Sequence, residues 1–192
     1  KKQLKRKLWK LKKKLQRFLD ATRVELFFAR RILMVEGIAE ALLLPVFAKL
    51  AGGSLKESAV TMLNADGINF NAFLPLFGEK RLGFPVAVLT DGDAAKIGDP
   101  PSATATGLKA KEADIPNLRV EYSEITFEHE LARSAGILPL MLEAFEIMHP
   151  VNGKTLKEAV GGLDSDDKKA DLFLAAFLQK RTSKGRFAQE LA

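Results

Sequence analysis

The chain has 192 residues, 47% of them hydrophobic, which suits one domain with a sizeable core, and it contains no cysteine. Disulfides, thiolate zinc sites and thiol nucleophiles are thereby excluded, and no apolar run approaches the ~18 residues needed to cross a bilayer. The net charge of +6 is uneven, because residues 1–17 hold ten Lys or Arg and no acid, leaving −4 on the remainder. With no secretory-type apolar stretch at the start, the expectation is a soluble, cytoplasmic protein with no membrane partner.

In chain order, Leu4, Leu8, Leu11, Leu15 and Phe18 recur at steps of four and three, the seam of a packed helix or coiled coil. Residues 1–30 therefore read as a basic amphipathic helix. Its charge can attract phosphate backbones by counterion release, or it can be a solvated face. Its apolar seam packs against something else and permits a dimer.

Beyond it the pattern changes to strand, loop and helix. "RILMV" (31–35) reads as a strand and "IAEALLLPVFAKLAGG" (38–53) as a helix kinked or divided at Pro45 and ended by Gly52-Gly53. "AVTMLNADG" (59–67) is the second strand and "INFNAFLPLFGEKRLG" (68–83) a second helix. "FPVAVLTDGD" (84–93) is the third strand. "IGDPPSATATGLKAKEADIP" (97–116) reads as a mobile loop leading to the fourth strand, "NLRVEYS" (117–123). From Phe127 onward the pattern is helical, in "EHELARSAG", "LPLMLEAFEIMH", "DSDDKKADLFLAAFLQKR" and "SKGRFAQELA". Strands alternating with helices predict an α/β fold, a mainly parallel sheet flanked by helices.

Sites in such sheets form at the C-terminal strand ends, and that is where the acids fall. Glu36 follows the first strand, with Glu40 one helical turn on. Asn64 and Asp66 end the second, Asp91 and Asp93 the third, and Thr126 and Glu128 follow the fourth. Asp91-Gly92 alone is a good turn dipeptide, but a turn does not explain all four coincidences. Clustered carboxylates without cysteine select hard cations, Mg²⁺ or Mn²⁺. Two such ions ~4 Å apart suit phosphoryl transfer. The neighbouring polar groups have blander readings. His129 is expected at the surface or in packing, His149 closes a helix, and Asp164, Asp166 and Asp167 form a cap and acidic first turn.

Together "LMVEGIAE", "VLTDGDAA", "EITFEHEL" and "KGRFAQEL" resemble the C-terminal nuclease domain of the OLD (overcoming lysogenisation defect) family, whose catalytic module is a Toprim fold. The resemblance spans about residues 20–192. It implies a Toprim domain over 31–192, its helical part (131–192) completing the site. It also implies metal-dependent DNA cleavage, with Glu36, Glu40, Asp91, Asp93, Thr126 and Glu128 holding two ions. Lys184 would contact the scissile phosphate, and Glu36, Asp91 and Lys184 would be catalytic. The family joins this nuclease to an N-terminal ABC-type ATPase. No GxxxxGK[ST] phosphate loop occurs here, so the ATPase half is absent from this sequence. The resemblance then implies an isolated C-terminal region whose partner is the N-terminal ABC-type ATPase domain of the same polypeptide.

Rivals fit less well. A topoisomerase needs a tyrosine nucleophile, and the sole tyrosine, Tyr122, lies in a strand. A primase normally carries a zinc module that this chain cannot build, and a haloacid-dehalogenase-like phosphatase would bear its nucleophilic aspartate on the first strand motif. The remaining alternative is a Toprim module that binds DNA or a partner without cutting.

Overall fold

A computed structural model describes Trp9 and residues 29–65, 70–78 and 81–192. The expected basic helix over 1–30 lies, apart from Trp9, Ala29 and Arg30, outside the described residues, as does Asp66.

Four short strands, β1 (Arg31–Val35), β2 (Val60–Asn64), β3 (Val86–Thr90) and β4 (Leu118–Tyr122), form one parallel sheet in the order β2-β1-β3-β4. β1 and β3 lie at its centre, and their residues are apolar on both faces because both faces are covered. Ile32, Met34, Val86 and Val88 point to one side, into a core with Leu63, Phe70, Phe73, Leu74, Phe77, Leu108, Leu118 and Val120. Leu89 points to the other, where it packs against Ala39, Leu43, Phe127 and Ala188. The register aligns Val35 with Asn64 and Leu89, and Thr90 with Tyr122. Every strand therefore ends at nearly the same level, and the residues that follow all emerge on one edge.

The helices are α1 (Ile38–Leu50), α2 (Ala103–Lys109), α3 (Phe127–Ala132), α4 (Leu138–Met148), α5 (Pro150–Gly161), α6 (Asp166–Gln179) and α7 (Lys184–Leu191). α1 runs through Pro45 as a single element. α4 to α7 enclose a core of their own, in which Phe173 packs against Phe145, Phe177 and Phe187. Each such buried ring contributes on the order of 1.5–3 kcal/mol through area removed from water. α7 also rests on α1, so this helical layer is joined directly to the sheet.

Three expectations are corrected. The helix expected over 68–83 is instead two 3₁₀ turns, Phe70–Ala72 and Leu74–Leu76, among the described residues. Phe70, Phe73, Leu74 and Phe77 are all buried at the spacing of a helical face, which is what suggested a helix. Pro75, however, has no N–H to give, and the backbone closes i to i+3 bonds instead, from the N–H groups of Phe73, Leu76 and Phe77. The loop expected over 97–116 contains α2 and a 3₁₀ turn, Ala110–Ala113. Ser102 caps α2 by accepting from the Ala105 N–H at 3.2 Å, directly after Pro100-Pro101. Finally, α5 falls outside the four helical segments read from the sequence, and Asn152-Gly153 does not break it. Gly153 is instead a contact point, since a Cβ there would fall 2.4 Å from the Glu146 Cα of α4. His149 both ends α4 and precedes α5.

Candidate active site

Glu36 leaves the end of β1 level with Thr90 of β3. Its Oε2 accepts the Thr90 hydroxyl at 2.7 Å and, more weakly, the Asp91 N–H at 3.4 Å. Thr90 is a site residue that the sequence reading passed over; the signal was its place at the strand end directly before the two aspartates. Asp91 is oriented from the other direction. Its Oδ1 accepts the Phe127 N–H at 2.7 Å and the Ser123 hydroxyl at 3.3 Å. The two central strands and the segment after β4 thus hold the two carboxylates from opposite sides.

Gly92 makes this possible. A Cβ at that position would lie 2.1 Å from the Ser123 carbonyl oxygen and 2.6 Å from that of Glu124, so only glycine fits beneath the segment. The next residue, Asp93, turns into the left-handed region with φ 53°, which Asp tolerates better than most residues. Its N–H donates to the Ile125 carbonyl at 2.9 Å, and the Ala94 N–H to that of Glu124 at 3.1 Å. The turn is therefore stitched along its length to residues 123–127.

Two further carboxylates lie deeper. Glu40, in the first turn of α1, is 4% exposed, and Glu128, in the first turn of α3, is 3% exposed. Lys184, the first residue of α7, reaches Glu128, with Nζ 2.9 Å from Oε1 and 3.1 Å from Oε2. Only the longer contact is well angled for a hydrogen bond, which leaves Oε1 buried with a free lone pair. α7 can come this close because Gly185 sits against Ile38 of α1, where a Cβ would be 3.1 Å from Cγ2.

The electrostatics follow from this crowding. Burial pushes the Asp91 carboxyl up to about 7, and Glu128 and Glu36 add to the rise, while the Phe127 N–H and Lys184 oppose it. Burial also raises Glu40, helped by Glu128 and Glu36 and resisted by its own N–H and by Lys184. Partial burial alone would lower the Lys184 ammonium, but Glu128, Asp91 and Glu40 outweigh it and hold the group above its ordinary value. Groups shifted this way by desolvation and neighbouring charge are characteristic of functional clefts.

The structure thus brings Glu36, Glu40, Asp91, Glu128 and Lys184 to one sheet edge. Asp93 is exposed beside them, and its carboxylate makes no hydrogen bond to the others. The Thr126 hydroxyl caps α3, accepting the His129 N–H at 3.2 Å, so part of its bonding capacity is already used. Of the two places expected for His129, surface or packing, it takes the second and is fully buried. The donor set is all oxygen, negative in excess, with a buried lone pair on Glu128, which fits a hard divalent cation. As the side chains lie, no three carboxylates or histidines among the described residues converge tightly enough to enclose one.

A parallel α/β sheet with a glutamate after its first strand and paired aspartates after its third defines a Toprim-type domain. Residues 27–93 match the family described as "Overcoming lysogenization defect protein-like, TOPRIM domain". The C-terminal region of the Burkholderia pseudomallei OLD protein is 26% identical, with a TM-score of 0.60 over 85% of this chain and 87% of that one. The corresponding region of the Xanthomonas campestris pv. campestris OLD protein is 27% identical, also with a TM-score of 0.60, over 87% and 84%. Comparison with curated protein sequences gave no match. Residues 27–93 therefore match an OLD-like Toprim domain, and the fold of the chain is that of OLD C-terminal regions, which is consistent with a nuclease-type module. Toprim domains generally bind divalent metals. No helix among the described residues is long and apolar enough to cross a membrane.

Proposed function

We propose that this chain is the catalytic part of a metal-dependent DNA endonuclease or nickase, hydrolysing phosphodiester bonds. The observation that carries the reading is the pair of almost wholly buried carboxylates, Glu40 and Glu128, beside Asp91 and facing one half-exposed lysine. Burying acids side by side costs stability, and functional sites are where such a cost is retained.

Glu36, Glu40, Asp91, Asp93, Thr126 and Glu128 would hold two Mg²⁺ or Mn²⁺ ions. When bound, such ions supply an activated water and stabilise the charge on the leaving oxygen. The chain's own residues arrange the rest. Thr90 orients Glu36, and the Phe127 N–H and Ser123 orient Asp91. Lys184, at the rim with its side chain 45% exposed, can turn its ammonium from Glu128 to an incoming phosphate and offset charge developing there. The ten positive charges of residues 1–17 would add non-specific attraction to the DNA backbone, and an ABC-type ATPase domain would be the companion of this module. The same arm's apolar seam allows a dimer.

The looseness of the carboxylates as placed favours one competing reading, a Toprim module that binds DNA or a partner without cutting it. Incubating the protein with supercoiled plasmid in EDTA, Mg²⁺, Mn²⁺ or Ca²⁺ separates the two. Nicking that requires Mg²⁺ or Mn²⁺ and is lost in Glu128→Gln supports the nuclease. Plasmid binding without cleavage in any ion would leave the binding module.

A further inference from the structure

α6 lies outside the site, yet two of its side chains grip the helix that carries Glu128. On and just after α3, His129 and Arg133 stand four residues apart; on α6, so do Asp167 and Asp171. Each pair therefore projects from one face of its helix. His129 Nε2 lies 3.0 Å from Asp171 Oδ1, and Arg133 Nε donates to Asp167 Oδ1 at 2.9 Å. A carboxylate can only accept, so Nε2 carries the hydrogen.

An ordinary surface ion pair is worth little, and the first link differs from one by burial, the second by what Arg133 goes on to reach. The Asp171 side chain is 63% exposed but its partner ring is fully buried. The other ring nitrogen, Nδ1, has no partner, so Asp171 is the polar anchor of that ring. Losing it would leave both ring nitrogens buried without a partner. Arg133 reaches further still: its other arm donates to Glu124 Oε2 at 2.7 Å. Glu124 is the residue whose carbonyl accepts the Ala94 N–H and lies directly over Gly92. One face of α6 is thus connected to both walls of the site, to Glu128 through the adjacent His129 and to the 91–94 turn through Arg133 and Glu124.

We infer that Asp167 and Asp171 are positioning residues, a double clasp by which α6 fixes the rotation of α3 and presses residues 123–127 onto the turn bearing Asp91 and Asp93. Its catalytic meaning rests on the nuclease reading; its mechanical meaning does not. The decisive variant is Asp167→Ala/Asp171→Ala in the whole chain, with Asp167→Ala alone as the milder form.

Amide hydrogen exchange followed by NMR reads the mechanics directly. The N–H groups of Asp93, Ala94 and Phe127 should exchange at least tenfold faster than in the parent, while those of Met34 and Val88 in the central strands keep their rates. Mn²⁺ affinity measured by calorimetry should fall at least fivefold. Asp171→Asn, which keeps an oxygen opposite Nε2, should exchange like the parent. Rates at the three amides within twofold of the parent, or an equal acceleration throughout the sheet, would overturn the clasp. If the parent neither binds Mn²⁺ nor nicks plasmid, the nuclease reading fails while the exchange rates still decide the clasp.

Discussion

Neutralising Asp91 should make the metal-free protein more stable, not less. Asp91→Asn keeps an Oδ1 to accept the Phe127 N–H and removes the charge that burial and the neighbouring carboxylates oppose. The unfolded chain loses this proton near 3.8, whereas the folded protein holds it up to about 7. Between those values the native state binds the extra proton, so stability falls as pH rises through the window and the loss is complete above it. At 1.36 kcal/mol for each pKa unit, the folded parent carries a penalty of ~4 kcal/mol at pH 8. Urea unfolding in EDTA should accordingly show Asp91→Asn more stable than the parent by up to ~4 kcal/mol at pH 8. The gap should shrink to near zero by pH 4, where Asp91 is protonated in the native state. Mg²⁺ should reverse the order, because an ion that binds only the ionised native site stabilises the parent by mass action. A variant less stable than the parent in EDTA at pH 8, or a difference independent of pH, would refute the crowding on which the site rests.

Lys184→Met should abolish plasmid nicking while sparing metal binding by calorimetry. It should also lower stability in EDTA by about 1–2 kcal/mol, since Glu128 loses its partner at a half-exposed contact. Gly92→Ala should cost about 3 kcal/mol in urea unfolding because the new methyl meets two carbonyl oxygens, and it should abolish nicking even in whatever fraction remains folded. Deleting residues 1–17 removes ten positive charges, so the salt dependence of plasmid binding should flatten in filter-binding titrations. Nicking at high protein concentration should persist, as no proposed ligand lies there.

Much of this was legible because strand periodicity and punctuation are local. "RILMV" and "VAVLT" announce buried strands through their own composition, and a parallel sheet then forces Glu36 and Asp91 onto one edge. What the pattern could not show was set by contact between distant segments. Thr90 and Ser123 look like unremarkable hydroxyls until the register places one beside Glu36 and the other beside Asp91. His129 follows an acid in a polar stretch, and nothing local says that a helix more than forty residues on will bury its ring. Gly153 offered no local signal for a related reason: glycine follows the ends of helices elsewhere in this chain, whereas here it lets two helices cross. In residues 68–83 the apolar residues were visible but their geometry was not, since a dense cluster specifies burial and not the turn that achieves it.

The close seating of Gly185 on Ile38 has a consequence for timing. It closes a loop of about 150 residues, which costs on the order of 4 kcal/mol of chain entropy, and it is what delivers Lys184 to Glu128. Every carboxylate of the site precedes that lysine in synthesis by more than fifty residues. A nascent chain can therefore gather its acids on the sheet edge while their cation is still unmade. The proposed cutting, which would need both, could begin only when α7 has emerged and docked, so a chain halted earlier carries the acidic cleft but not the group proposed to meet phosphate.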